Sequence, residues 1–132
     1  MNFSMRKANR VLNSIYDGHL QSCGLKGGQY TILRTIDYFK KTSSSELQDV
    51  MFIDQTTLSR NLKPLIRDGY IDVNRGEDLR VKVLSLSPSG EKLYSEATKC
   101  WQNAQRDVKR RLGAEPAKQI FAVAKMIEGL KV

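Results

Sequence analysis

Thr56, Arg60, Lys63 and Arg67 recur at steps of four, three and four residues. At about 100° per residue they fall within roughly 60° on one side of a helix, and Leu58, Leu62, Leu65 and Ile66 within roughly 100° on the other. The leucines can dock on a protein body while hydroxyls and cations meet base edges and phosphates. A helix lying in a major groove needs that division, although an ordinary amphipathic helix with a solvated outer face shows it too. The N-terminal part of such a helix enters the groove. Gln55, Thr56, Thr57, Ser59 and Arg60 are therefore the residues expected to reach bases. Arg60 fits either two-pronged guanine recognition or a phosphate contact, and Lys63 fits the backbone. Ser44 and Ser45, upstream, offer hydroxyls and free backbone N–H groups to a phosphate. Downstream, Arg75, Asp78, Arg80 and Lys82 occupy a polar stretch. An arginine at a hairpin tip can enter a narrow minor groove, with an aspartate two residues earlier to orient it. A merely polar turn gives the same composition.

The elements that must position these residues are legible on both sides. A first helix is predicted over 2–22, with Ala8, Val11, Leu12, Ile15, Tyr16 and Leu20 at helical spacing. Gly24 closes it. A second helix covers 28–40, burying Leu33, Ile36 and Phe39. Ser43 and Glu46 form a capping box for a short third helix, ending near Met51, that buries Leu47 and Val50. After the tight turn at Phe52 and Ile53, Asp54 caps a fourth helix running to Asp68 and stopping at Gly69. Two short helices around a tight turn make a helix-turn-helix. Pro64 removes the bond from its own nitrogen to the Arg60 carbonyl, at roughly 3 kcal/mol in an ordinary helix. The spacing of Leu58, Leu62, Leu65 and Ile66 continues past it. A kink that bends the C-terminal half away from the groove is thus expected, rather than a helix end at Lys63.

The period then changes. Residues 70–73 and 81–86 alternate as strands around a polar turn containing Gly76, which makes a β-hairpin. Ser87 and Pro88 start a fifth helix running to Leu112, with Leu93, Ala97, Trp101, Ala104, Val108 and Leu112 as its stripe. Gly113 ends it, and a last helix covers 115–130 with Ile120, Phe121, Val123, Ala124, Ile127 and Leu130. The fold class is mainly α with a small β-hairpin wing (α+β): a winged helix-turn-helix flanked by terminal helices.

Composition narrows the function classes. The 132 residues fit one domain, and a net charge of +8 favours polyanionic partners, nucleic acid first. The surplus is uneven: 54–82 holds six basic and five acidic residues, whereas 99–132 holds eight and three. Lys109, Arg110 and Arg111 are read as solvating a helix end, with drawing in DNA as the alternative. Cys23 and Cys100 are far apart in sequence and in no C-x-x-C spacing, so neither a disulfide framework nor a zinc site is expected. Both are read as buried, inert thiols. The single histidine, His19, argues against a histidine-based metal site, and no metal or cofactor is expected. No signal peptide is visible and no apolar run spans a bilayer, so a cytoplasmic protein without membrane contact is expected. The chain shows no nucleophile paired with a base, no phosphate loop and no metal constellation, which argues against an enzyme.

The ordered set of short motifs resembles the MarR family of bacterial regulators. It comprises Gly24-Leu25 with Gln29, Glu46-Leu47, and Asp54-Gln55-Thr56-Thr57-Leu58-Ser59-Arg60. Leu65-Ile66-Arg67-Asp68-Gly69-Tyr70-Ile71, Asp78-Leu79-Arg80, and Leu86-Ser87-Pro88-Ser89-Gly90 complete it. No one piece is specific, whereas the order over about half the chain is. The resemblance implies a sequence-specific regulator of double-stranded DNA. It would be a repressor, a homodimer on a near-palindromic operator, released by a small-molecule effector or by oxidation of a cysteine. It makes Arg80 the minor-groove arginine with Asp78 as its partner. It divides the chain into a DNA-binding lobe over about 26–87 and dimerisation helices over about 1–23 and 88–132. Surplus apolar surface on the first, fifth and sixth helices agrees with such a dimer. Two departures stand out. Lys26-Gly27-Gly28 replaces the family's usual threonine cap, weakening the entry to the second helix, and Leu79 stands where a second arginine is frequent. Tyr16, Tyr30, Tyr38 and Trp101 are candidates to line an effector cleft, or else core aromatics. A winged helix that binds a protein partner without reading bases is the alternative function.

Overall fold

The computed structural model describes residues 1–78 and 80–130. Leu79, singled out in the wing, and the last two residues lie outside the described ones. The order is α1 (Asn2–Leu20), a 3-10 turn (Gln21–Cys23), α2 (Gly27–Phe39), α3 (Ser44–Met51), α4 (Gln55–Arg67), β1 (Ile71–Arg75), β2 (Lys82–Leu86), α5 (Pro88–Leu112) and α6 (Ala114–Glu128). The expected winged helix-turn-helix is present, and α1, α5 and α6 pack together outside it. No helix among the described residues is long and apolar enough to cross a membrane. No group of three His, Cys, Asp or Glu side chains is gathered to hold a metal ion among them.

Local chemistry explains the starts and stops. Ser43 accepts from the Glu46 N–H at 3.2 Å, Asp54 from the Thr57 N–H at 2.7 Å, and Ser87 from the Gly90 N–H at 3.0 Å. Each side chain thereby satisfies one orphan donor of a helix N-terminus. The first turn of α2 also has partners. Gln29 Oε1 accepts from Lys26 N at 3.1 Å and Asp17 Oδ1 from Gly27 N at 2.8 Å. The weak entry expected from the two glycines is therefore corrected, because a glutamine and a distant aspartate supply the acceptors the missing threonine would have given. Gly28 serves packing: a Cβ there would lie 3.2 Å from the Asn61 amide on α4.

Leu20, Ile32, Leu33, Ile36, Leu47, Leu58 and Leu84 are fully buried and join α2, α3, α4 and the wing into one core. The helix α4 continues through Pro64 to Arg67, so the alternative of a break at Lys63 is excluded. The strands β1 and β2 pair antiparallel with Ile71 opposite Leu86 and Arg75 opposite Lys82. Each strand is displaced from the sequence reading by one residue at its start: Tyr70 is held instead by the turn that closes α4, its N–H donating to the Leu65 carbonyl at 2.9 Å, and Val81 by the wing turn, its N–H donating to the Asp78 carbonyl at 3.0 Å. Thr42 adds a single antiparallel bridge to Leu84, with bonds of 3.0 and 2.7 Å, and ties the α2–α3 connection to the wing.

Two apolar residues expected in the core, Phe39 and Val50, face solvent instead. Ala8 and Val11 on α1 and Leu112 on α5 are exposed as well, in keeping with the surplus apolar surface expected on the terminal helices. On α6 only Ala124, of the six stripe residues, is even half-buried. Helical spacing identifies an apolar side; it does not supply a partner for that side within one chain. Phe52 is likewise exposed, and it adopts φ 55° as it ends α3. A bulky residue in the left-handed region costs about 1–2 kcal/mol. Phe52→Gly is expected to raise stability by about 1 kcal/mol in urea unfolding, whereas an unchanged or lower midpoint would contradict that account of the turn.

The helices α1 and α5 meet through a polar seam. His19 Nε2 donates to Asp107 Oδ2 at 3.1 Å, Arg110 donates to Asp107 Oδ1 at 3.0 Å, and the Tyr16 hydroxyl donates to Gln105. The bond from His19, then that from Arg110, holds the Asp107 carboxyl below the usual carboxylate range. A depressed carboxylate stabilises the fold above its unfolded pKa, and that contribution is lost as pH falls through the folded value.

Candidate nucleic-acid interface

The capped start of α3 and the outer face of α4 lie on one side of the helix-turn-helix. On α4, Gln55, Thr56, Arg60 and Lys63 are exposed, whereas Thr57 and Ser59 are half-buried. Ser45 is exposed and Ser44 half-buried at the start of α3. The division into a leucine side and a polar side therefore holds residue by residue, with Leu58, Leu62 and Leu65 buried and Ile66 half-buried.

A hydrogen-bond chain runs across this face. Gln48 Nε2 donates to Gln55 Oε1 at 2.7 Å, and Gln55 Nε2 donates to Ser59 Oγ at 2.9 Å. Gln48 Nε2 also reaches the Ser44 carbonyl at 3.4 Å. Gln55 and Ser59 are thus preoriented by each other and by Gln48, a residue the sequence reading missed. Its signal was available in principle, since Gln48 lies one helical turn after Ser44, but the angle between α3 and α4 is not written in spacing. The Asp54 carboxyl is held below its ordinary range by the Thr57 bonds and, more weakly, by the Arg60 charge. Asp54 serves as the cap through its bond to Thr57, and Arg60 makes no ion pair within 4.0 Å among the described residues. Arg67, on the same stripe, differs: its guanidinium donates to both Asp68 oxygens, at 3.0 and 3.4 Å.

The wing presents its cations at two levels. Arg75 and Lys82 are a cross-strand pair and so project from the same face of the hairpin. Like charges directly opposite repel, and a polyanion laid across them relieves that repulsion. Asp78 and Arg80 lie beyond, in the connecting turn, both exposed. The link between them differs from the one expected. Asp78 Oδ1 accepts the backbone N–H of Arg80 at 3.0 Å, so the aspartate sets the main-chain path and thereby the direction in which Arg80 leaves the turn. A hydrogen bond from Gly76 N to the Val81 carbonyl, at 3.2 Å, closes the base.

A cleft of about 630 Å³ opens between the helix-turn-helix and the α1–α5 pair, lined among others by Tyr16, Asp17, Lys26, Thr31, Asn61 and Trp101. Of the four aromatics singled out in sequence, Tyr16 and Trp101 line it. Tyr30 does not: it is buried, stacks on Trp101 and Tyr94 with centroids 5.9 and 5.8 Å apart, and hydrogen-bonds Thr98. Tyr38 is exposed on another face, edge-on to Phe39. Arg34 sits 5.3 Å above the Trp101 ring.

The cysteine reading is corrected. Neither thiol is buried; both are half-exposed. Antiparallel packing of α1 against α5 brings Cys23 Sγ to 3.7 Å from Cys100 Sγ.

Comparison with known proteins agrees with this geometry. The family model for the MarR family matches residues 24–80, which hold the helix-turn-helix and the first strand of the wing. An uncharacterized HTH-type transcriptional regulator of Bacillus subtilis, YwoH, is 24% identical over 92 residues, 70% of this chain and 67% of its own length. The uncharacterized HTH-type transcriptional regulator SAV2265 of Staphylococcus aureus is 40% identical over 68 residues, 51% of this chain. That match spans only 47% of the staphylococcal protein. Among solved structures, the Mycobacterium tuberculosis transcriptional regulator MosR, crystallised in complex with DNA, superposes with a TM-score of 0.81 at 28% identity, covering 100% of this chain and 98% of its own. The motif order, the capped helix-turn-helix with its two-stranded wing and these likenesses converge on one family: over residues 24–80 the chain matches the MarR family of winged helix-turn-helix transcription regulators.

Proposed function

We propose that this regulator is a sequence-specific repressor that binds a near-palindromic operator in double-stranded DNA as a homodimer, in the cytoplasm. The single observation that carries the reading is the polar face of α4, where Gln55 and Ser59, joined to Gln48 of α3, form a preoriented chain beside exposed Thr56, Arg60 and Lys63. In this reading α4 enters the major groove, Arg60 meets guanine or a phosphate, and Lys63, Ser44 and Ser45 hold backbone phosphates. Arg75, Lys82 and the Asp78-positioned Arg80 engage the flank and its minor groove. The DNA-binding lobe is 26–87, with dimerisation through 1–23 and 88–132. Support for pairing comes from the exposed apolar residues along the terminal helices, among them Phe3, Val11, Ile120 and Phe121. The crystallisation of MosR, a protein of this fold, in complex with DNA supports a DNA partner for this chain. Release by a small effector in the cleft beside Tyr16 and Trp101 completes the reading, since that cleft separates the reading head from the dimerisation helices.

Selection of bound duplexes from a random pool tests it. The expected product is two inverted half-sites with centres one turn apart, about 34 Å or 10–10.5 base pairs. Enrichment of a lone half-site would overturn the dimer, and absence of any enriched sequence would overturn sequence reading itself, favouring a winged helix that binds protein.

A further inference from the structure

The chain has two cysteines, 77 residues apart, and both thiols meet at 3.7 Å on the half-exposed surface where the 3-10 turn packs on α5. Ser22 Oγ lies 3.5 Å from Cys100 Sγ. We propose that Cys23 and Cys100 form a reversible dithiol that hydroperoxides close to an intramolecular disulfide, locking the joint between α1 and α2 onto α5.

The chemistry balances without any group the chain lacks beyond the oxidant. One thiolate attacks the peroxide oxygen, breaking the O–O bond, and becomes a sulfenic acid while an alcohol or water leaves. The second sulfur then attacks the sulfenic sulfur, the S–S bond forms, and the hydroxyl departs as water with the second thiol's proton. Two thiols are oxidised by two electrons and one peroxide is reduced. Burial, and then the neighbouring Cys100, raises the Cys23 thiol above its ordinary range. Attack therefore quickens in alkaline buffer and is slow in mildly acidic buffer.

Closure has a structural consequence. A disulfide needs its sulfurs about 2.05 Å apart, so the pair must draw together from 3.7 Å. Cys23 is followed by Gly24 at φ 71°, the buried Leu25, and Lys26, the N-cap of α2. The start of α2 in turn has no slack against α4, since the space beside Gly28 is filled by Asn61. A shift of the joint is carried to α4, and the disulfide form is expected to hold its operator about tenfold less tightly, within the usual range of coupling between sites. That last consequence rests on the DNA-binding reading; the cross-link does not.

The test treats the full chain with hydrogen peroxide, blocks remaining thiols with iodoacetamide and takes masses of the intact protein and its peptides. The expected result is loss of two hydrogens, no alkylation, the Cys23 and Cys100 peptides joined, migration as a single chain without reductant, and reversal by dithiothreitol. Cys23→Ser and Cys100→Ser should each abolish the cross-link. Persistence of two alkylatable thiols, sulfinic acid on either cysteine, or joined peptides found only in covalent dimers would overturn the proposal. In the second arm, the duplex recovered by selection is titrated with reduced and oxidised protein. Equal affinities overturn the regulatory half. If the reduced protein itself shows no sequence preference, the function reading fails, while the cross-link arm still decides the dithiol.

Discussion

Gly90→Ala is expected to destabilise the fold by about 3 kcal/mol or more, lowering the melting temperature by roughly 10 °C or more. A Cβ at this position would lie 1.9 Å from the Tyr70 carbonyl oxygen and 2.9 Å from its carbonyl carbon. The obstacle is backbone, so no side-chain rotation relieves it. The neighbourhood is also where the reading head meets the long helix. Ser87 N donates to the same Tyr70 carbonyl at 3.1 Å, and the Ser87 and Ser89 hydroxyls both donate to the Gly69 carbonyl, at 2.6 and 3.1 Å. Pushing Tyr70 away breaks that hub and displaces the start of β1. Ser89→Ala, which removes the bonds of that hydroxyl to the Gly69 carbonyl and to Ser87 Oγ, should cost about 1–2 kcal/mol and serves as the comparison. Thermal unfolding followed by circular dichroism decides the matter: a Gly90→Ala protein as stable as the Ser89→Ala protein would show that α5 does not sit against Tyr70 in this way.

The second large effect concerns recognition. Arg60→Ala should cost about 1–3 kcal/mol of discrimination at one base-pair position if Arg60 bridges guanine, roughly five- to 150-fold in affinity for the correct site. Arg80→Ala should cost a similar amount, concentrated on operators with A·T-rich flanks. Arg67→Ala is the informative control. Arg67 shares the exposed stripe, yet its guanidinium is already engaged by Asp68, so its removal should change affinity less than either. Competition binding with single-position variants of the selected duplex resolves the three. Equal losses across every duplex for Arg60→Ala would assign it to phosphate instead. A larger loss for Arg67→Ala than for Arg60→Ala would contradict the placement of α4.

What could be read in the sequence follows from which forces are local. The caps at Ser43, Asp54 and Ser87 bind donors three residues away, so sequence order alone exposes them. The leucine side of α4 repeats at helical spacing and holds in the structure. The wing was visible through the change of period, with its strand starts shifted by a residue because Tyr70 belongs to the turn closing α4 and Val81 to the turn of the wing. Less legible was anything that depends on how distant elements meet. Spacing cannot say that Gln48 reaches Gln55 across the turn, nor that α1 and α5 run so as to bring Cys23 to Cys100. Nor could the capping of α2 by Asp17 be read from its own glycines. Apolar stripes misled in one direction only: Phe39 and Val50 were read as buried and lie exposed. The surplus apolar surface expected on the terminal helices is present, with Ile120, Phe121 and Val123 of α6 exposed. A stripe at helical spacing states that a face avoids water, and the occupant of that face need not be in the same chain.

The most direct test of sequence-specific recognition is equilibrium binding of the reduced protein to a duplex from the upstream region of its own gene, against a scrambled duplex of equal composition, over a series of salt concentrations. The account predicts a preference of about a thousandfold or more that persists at physiological salt, as specific sites are bound about 10³–10⁷ times more tightly than random DNA. Equal binding to both duplexes that falls away together as salt rises would show the net charge of +8 acting alone, and would contradict it.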